Sequence, residues 1–117
     1  MTDAPSGLPA DADARTATAG HPAAFHDGPA HVIRWANPPF LALFDEGAVG
    51  LPAREAMTGL GRKGFELMDR VLHEGRPLAC RVVTPSGQLR LVVVPRNDIE
   101  TGETYGVTTH LREPGSG

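Results

Sequence analysis

Apolar positions along the chain follow two periods. Between residues 62 and 74, Phe65, Met68, Val71 and Leu72 recur at helical spacing, and Lys63, Glu66, Asp69, Arg70 and Glu74 fill the other positions. That pattern predicts an amphipathic helix whose apolar stripe faces a core. Gly75 is a natural residue to end it, and Pro77 prevents its continuation. After it the period drops to two. Residues 78–84, 88–95 and 104–112 alternate, with Cys80, Val82, Leu89, Leu91, Val93, Tyr105, Val107 and Leu111 on one face and Arg81, Arg90, His110 and Arg112 on the other. The turn Pro85-Ser86-Gly87 joins the first two strands, and a polar loop at 97–103 precedes the third.

Ahead of the long helix the same reading gives a short edge strand over 22–26, a turn at Asp27-Gly28-Pro29 and a second strand over 31–36. Alternation puts Ile33 and Trp35 on one face of that strand and Val32, Arg34 and Ala36 on the other. Asn37 ends it and can cap a helix, with Pro38 where a helix best tolerates proline. Phe40, Leu41, Leu43 and Phe44 make this helix short and very apolar, and Gly47 and Gly50 interrupt it. Residues 51–61 read as irregular, with one helical turn around 54–57. No internal repeat is present.

Residues 1–20 are rich in Ala, Asp, Thr, Pro and Gly and have too little to bury to offset the entropy of ordering, so they read as a disordered tail. The breakers at 113–117 read the same way. One domain over 21–112 remains. The net charge of −3 argues against nucleic acid as a partner, because phosphate binding needs a basic surplus. No apolar run approaches the roughly 20 residues that span a bilayer. The first residues lack the basic and apolar regions of a signal peptide. With one cysteine, Cys80, no internal disulfide can form. By elimination these features place the protein in the cytoplasm.

The candidate chemistry is thin. His26 and His31 can approach across a tight turn, but without a nearby Cys or a spaced carboxylate they, and His21, read as surface histidines and no metal site is expected. Asp45-Glu46 and the acidic loop 100–103 sit among glycine and threonine and read as solvated. Glycines 59, 61 and 64 lack the Gly-Lys-Ser/Thr end of a phosphate loop. No Ser/His/Asp set has a recognisable local context. The sequence is therefore not read as an enzyme.

The order of elements, and the residues at their joints, resemble a PAS domain, the small sensor fold of bacterial signalling proteins. The strand ending Trp35-Ala36-Asn37-Pro38-Pro39-Phe40 resembles that family's strand into an Asn-Pro-x-Phe helix start. Phe44 followed by Val49-Gly50-Leu51-Pro52 resembles its hydrophobic-Gly-x-Pro step. Residues 71–77, with Gly75 and Pro77, resemble its exit from the long helix, and Pro85-Ser86-Gly87 its hairpin. The match covers about residues 21–112. It implies an α+β fold: a five-stranded antiparallel sheet with short helices and one longer helix packed on one face. It also implies a sensory or regulatory role in signal transduction, with output in trans, since the sequence shows no kinase, cyclase or transcription domain beside this one.

Set against that family, the cofactor signals are missing. Haem-sensing members carry a histidine inside the long helix, where this chain has Gly64; His73 lies at the helix end, where it complements the dipole. Flavin photosensors keep their cysteine on the helical side, whereas Cys80 falls in a strand and reads as a small buried hydrophobe. Haem and flavin are both disfavoured, and no cofactor is expected. A candidate ligand pocket would be lined by Ile33, Trp35, Asn37, Phe40, Phe44, Arg54, Met57, Phe65, Met68, Leu91, Val93 and Thr109, with Trp35, Asn37, Arg54 and Thr109 as its polar contributors. On the opposite face Val32, Val83, Val92 and Val94 form a candidate interface. Two functions follow: a sensor that binds a small ligand or a signalling partner, or a homodimerisation or interaction module with a filled core and no ligand.

Overall fold

The computed structural model describes residues 20–113. The tails expected at 1–20 and 113–117 lie, apart from Gly20 and Glu113, outside the described residues. In chain order the elements are β1 (Ala23–Asp27), β2 (Val32–Ala36), α1 (Pro38–Leu43), α2 (Ala53–Ala56), α3 (Arg62–Glu74), β3 (Leu78–Thr84), β4 (Gly87–Asn97) and β5 (Thr104–Arg112). The strands form one antiparallel sheet in the order β2-β1-β5-β4-β3. The first strand thus pairs with the last, Ala23 opposite His110, and the two ends of the described chain leave side by side.

Local chemistry explains the joints. Asn37 is fully buried, and its Oδ1 accepts from the amide of Phe40, capping α1, and from the amide of Ala23 on β1. Its Nδ2 donates to the carbonyl of His21. One side chain thereby ties the helix start to the neighbouring strand. Helix α3 ends as its sequence predicts, with Gly75 left-handed and its amide bonded to the carbonyl of Val71. Beyond β2, residues 50–52 close the sheet edge. The amide of Ile33 donates to the carbonyl of Leu51, and that of Gly50 to the carbonyl of Ile33.

The helices lie over one face, and α3 packs on β3, β4 and β5. Between helices and sheet sits the core: Ile33, Phe40, Met57, Phe65, Met68, Val71, Val82, Leu91, Val93, Val107 and Leu111. Gly106 marks the tightest approach in the sheet, because a Cβ there would collide with the carbonyl of His26 on β1.

Two β-bulges overturn parts of the alternation read from the sequence. Phe25 lies opposite Trp35 but His26 lies opposite Ile33, so Arg34 is an extra residue in β2. Ile33 and Ala36 face the helices. Trp35 is turned to the outer face, its ring 4.7 Å from that of Phe25. A second irregularity at Arg96/Asn97 does the same to Tyr105, which leaves the inward-facing set of β5 and lies against the Arg96 guanidinium.

Candidate functional site

The inner face is where a ligand pocket was expected. Ile33, Phe40, Met57, Phe65, Met68, Leu91 and Val93 meet there in one cluster, with half-buried Phe44 packed against it and its ring 4.9 Å from that of Phe40. Ile33, Phe40, Met57, Met68, Leu91 and Val93 have no accessible surface at all. A side chain in that state borders no void that a water molecule could enter, so around these residues the space is filled. The four polar contributors do not converge. Trp35 is on the far side of the sheet. Asn37 is spent on capping. Thr109 is bonded to His26. Arg54 lies at the surface, its guanidinium 4.9 Å above the Phe65 ring and 3.6 Å from the Asp69 carboxylate. At Gly64, the helix position compared with the haem-ligating histidine, even a Cβ would press on the Leu60 side chain.

His26 and His31 are not surface histidines; both are buried. His26 follows Ala24 by two residues on β1 and therefore points inward, a signal that alternation did carry. Its Nδ1 lies 3.1 Å from the carbonyl oxygen of His31 and its Nε2 lies 2.9 Å from Thr109 Oγ1. A carbonyl only accepts, so Nδ1 carries the hydrogen and Nε2 accepts from the threonine hydroxyl. Burial is the main force holding the His26 pKa down at about 3, with the charges of His31 and Arg96 adding to it, so the ring is neutral. His31 stands in the β1–β2 turn with φ 54°, a left-handed backbone that few non-glycine residues adopt. Its Nε2 is 2.7 Å from Asp69 Oδ1 on α3, while its Nδ1 is buried with no hydrogen-bond partner among the described residues.

The outer face differs in kind. Val83 is 66% exposed, and Val32, Val92 and Val94 are half-buried. The ladder places Val92 and Val94 opposite His110 and Thr108 of β5, away from the helices. Beside this aliphatic strip lies an aromatic and charged one. The Arg96 guanidinium sits between two rings, 4.9 Å from Phe25 and 5.0 Å from Tyr105. Its Nη1 donates to Asp27 Oδ1 at 2.9 Å, and Arg34 Nε donates to the other oxygen of the same carboxylate at 3.1 Å. Trp35 packs on Phe25 as well, the two rings tilted by 36°. Sequence reasoning missed this strip, because only the bulge brings Trp35 to it.

Other features are peripheral. An open hollow of about 550 Å³ lies at the start of β1, lined by His21, Pro39, Leu43, Ser86, Leu89 and Leu111 among others. Cys80 is half-buried on the inner face of β3, and partial burial pushes its thiol pKa up, away from the reactive thiolate. Among the described residues no group of three or more His, Cys, Asp or Glu side chains could hold a metal ion, and no helix is long and apolar enough to cross a membrane.

No family model matches the sequence, and no curated protein matches it. Solved structures do. A PAS domain from Colwellia psychrerythraea superposes with a TM-score of 0.61 at 15% identity, over 85% of this chain and 90% of that one. A sensory box sensor histidine kinase from Vibrio cholerae gives 0.66 at 16% identity, over 79% and 80%. The Vibrio cholerae VqmA dimer in the absence of target DNA, described in connection with the DNA-binding mechanisms of LuxR-type receptors, gives 0.68 at 14% identity, over 91% of this chain and 52% of that one. VqmA bound to DPO gives 0.66 at 15%, over 83% and 53%. The five-stranded antiparallel sheet with its few helices matches these structures, and the chain has the PAS-domain fold.

Proposed function

We propose that this chain is a sensory or regulatory domain of signal transduction whose signal passes by protein contact through the outer face of its sheet, in a homodimer. The observation that carries this reading is the contrast between the two faces: a filled inner face, and an outer face that leaves Val83, Val92 and Val94 partly or largely exposed to water. PAS-fold neighbours include a sensor histidine kinase and a dimeric receptor, which supports a signalling role. The net charge of −3 still favours a protein over nucleic acid as partner. Among the described residues no acid–base pair or activated nucleophile accompanies these features, and an enzymatic role is not proposed.

The test is sedimentation equilibrium of the wild type beside the double variant Val92→Asp/Val94→Asp. The wild type is expected to associate and the double variant to remain monomeric with its far-ultraviolet circular dichroism retained. A wild type that stays monomeric at high concentration sinks the homodimer.

A second reading has its own support: VqmA, of the same fold, has a structure with a ligand, DPO, bound. In that reading the core opens to admit a ligand. Native mass spectrometry of protein purified from its own host decides between them. We expect the mass of the chain or its dimer alone, with neither haem nor flavin; a stoichiometric small-molecule adduct would favour the ligand sensor.

A further inference from the structure

Two buried histidines join the sheet to the long helix through three hydrogen bonds, the last two linked by the covalent frame of His31. The path starts at the Thr109 hydroxyl on β5, passes through the His26 ring on β1 to the His31 carbonyl in the turn, and ends where the His31 ring meets Asp69 on α3. Arg54 of α2 flanks the far oxygen of Asp69. The same segment reaches the outer face. The His26 carbonyl accepts from Arg96 at 3.4 Å, and the residues on either side of His26 are Phe25 and Asp27, the ring and carboxylate that hold the Arg96 guanidinium.

We propose that this His26–His31–Asp69 chain is an acid-released latch between the sheet and helix α3. In the closed state a charge on His26 finds no counter-ion: the Thr109 hydroxyl can turn to accept from a second ring N–H, but neither it nor the His31 carbonyl carries a negative charge. Its ring nitrogens are occupied by a carbonyl and a hydroxyl, so no carboxylate touches it. The groups around it are Phe40 from α1, Thr109 from β5, the Arg96 guanidinium from β4 and the His31 ring from the turn. A charge on His26 would therefore be buried beside cationic or neutral groups only. The carboxylates at the two ends of this arrangement, Asp69 and Asp27, are engaged by His31 and by the arginines 96 and 34. The His31 backbone adds a second bias, since its left-handed conformation is held against its preference and relaxes when the turn opens.

The sign follows from proton counting. The closed state keeps His26 neutral down to a pKa of about 3, and the open state titrates at the ordinary histidine value of about 6.5. Between those values the open state binds more protons, so acid favours opening, by up to about tenfold per pH unit. Above the ordinary histidine value the latch is insensitive to pH. Release frees α3 from the turn on one side and loosens the Phe25–Arg96–Asp27 arrangement on the other, which couples the helical layer to the outer face.

The experiment is amide hydrogen exchange by nuclear magnetic resonance on the whole chain, corrected for intrinsic rates, from about pH 7.5 to about pH 5. The reporters are the amides of His31, Ile33 and Ala53, which bond to Gly28, Leu51 and Ala30. Their protection is expected to fall by up to about tenfold per pH unit below about pH 6.5 while the β3–β4 ladder stays protected. His26→Gln keeps a donor and an acceptor but cannot titrate, and should flatten the profile. Reporter protection that does not change with pH, a β3–β4 ladder that loses protection in parallel, or a His26→Gln profile with the wild-type slope would overturn the latch. Should His26→Gln fail to fold, the ring carbon shifts of His26 in the wild type give the same decision. A ring that protonates near the ordinary histidine value while the turn amides remain protected refutes the proposal; a ring that stays neutral until they exchange supports it.

Discussion

The two faces of the sheet are built from different materials. The inner face is aliphatic and aromatic, covered by three helices, and its central side chains have no accessible surface. The outer face carries valines beside a row in which Trp35, Phe25, Arg96 and Tyr105 succeed one another. Packing of the first kind depends on volume, and any atom removed leaves a hole. Contacts of the second kind form at a partly solvated surface, where ring stacking and cation–π pairs contribute about 0.5–1.5 kcal/mol each. Ion pairs such as Asp27 with Arg34 contribute less. The fold therefore rests mainly on one face, and the other contributes less to its stability.

Substitutions can break or sharpen that division. Phe40 is the largest fully buried side chain, and Phe40→Ala is expected to cost about 3–5 kcal/mol by urea unfolding, enough to threaten a domain of this size. A loss under about 1 kcal/mol would mean that the inner face is looser than its zero exposure implies. Asn37→Ala should cost about 2–3 kcal/mol, more than an ordinary helix cap, because the buried amide of Ala23 loses its acceptor together with that of Phe40. Trp35→Ala, on the outer face, should cost only about 1–2 kcal/mol despite removing the chain's largest side chain. If it proves as damaging as Phe40→Ala, the outer face is structural and the contrast fails. The charged pair at Val92 and Val94 should have the smallest effect on unfolding and act on association instead.

Much of the fold was legible in the sequence because its punctuation is chemical. Asn37-Pro38 opens α1, Gly75 closes α3, and the period-two runs mark β3, β4 and β5 at nearly their observed bounds. The errors came where one extra residue shifts the count. Nothing in Val-Ile-Arg-Trp-Ala distinguishes a regular strand from one with a bulge at Arg34; the distinction arises from pairing with β1, a partner chosen by tertiary structure. Trp35 crossed the sheet for that reason. The histidines were misjudged for a related one. A histidine near a turn is usually wet, and His26 is dry only because β5 supplies Thr109 from 83 residues away and the turn supplies a carbonyl. Of the residues named for the candidate pocket, the apolar members lie in one cluster, because burial follows period. Its polar members each found local employment that spacing alone does not reveal.

The pairing of the first strand with the last has a mechanical consequence. Ala23 lies opposite His110, and the amide of Leu111 bonds to the carbonyl of Pro22, so both ends of the described chain leave side by side from one end of the sheet. Tension that draws those ends apart does not load the β1–β5 ladder in shear, with all bonds sharing the force. It loads them one at a time from Ala23 towards Asp27, as a zipper opens. The strands that part in this way are inner ones, with Gly106 and His26 in closest approach between them. A weak pull at the termini thus reaches the middle of the sheet before it disturbs either edge, and residues joined to those ends hold direct leverage over the centre of the domain.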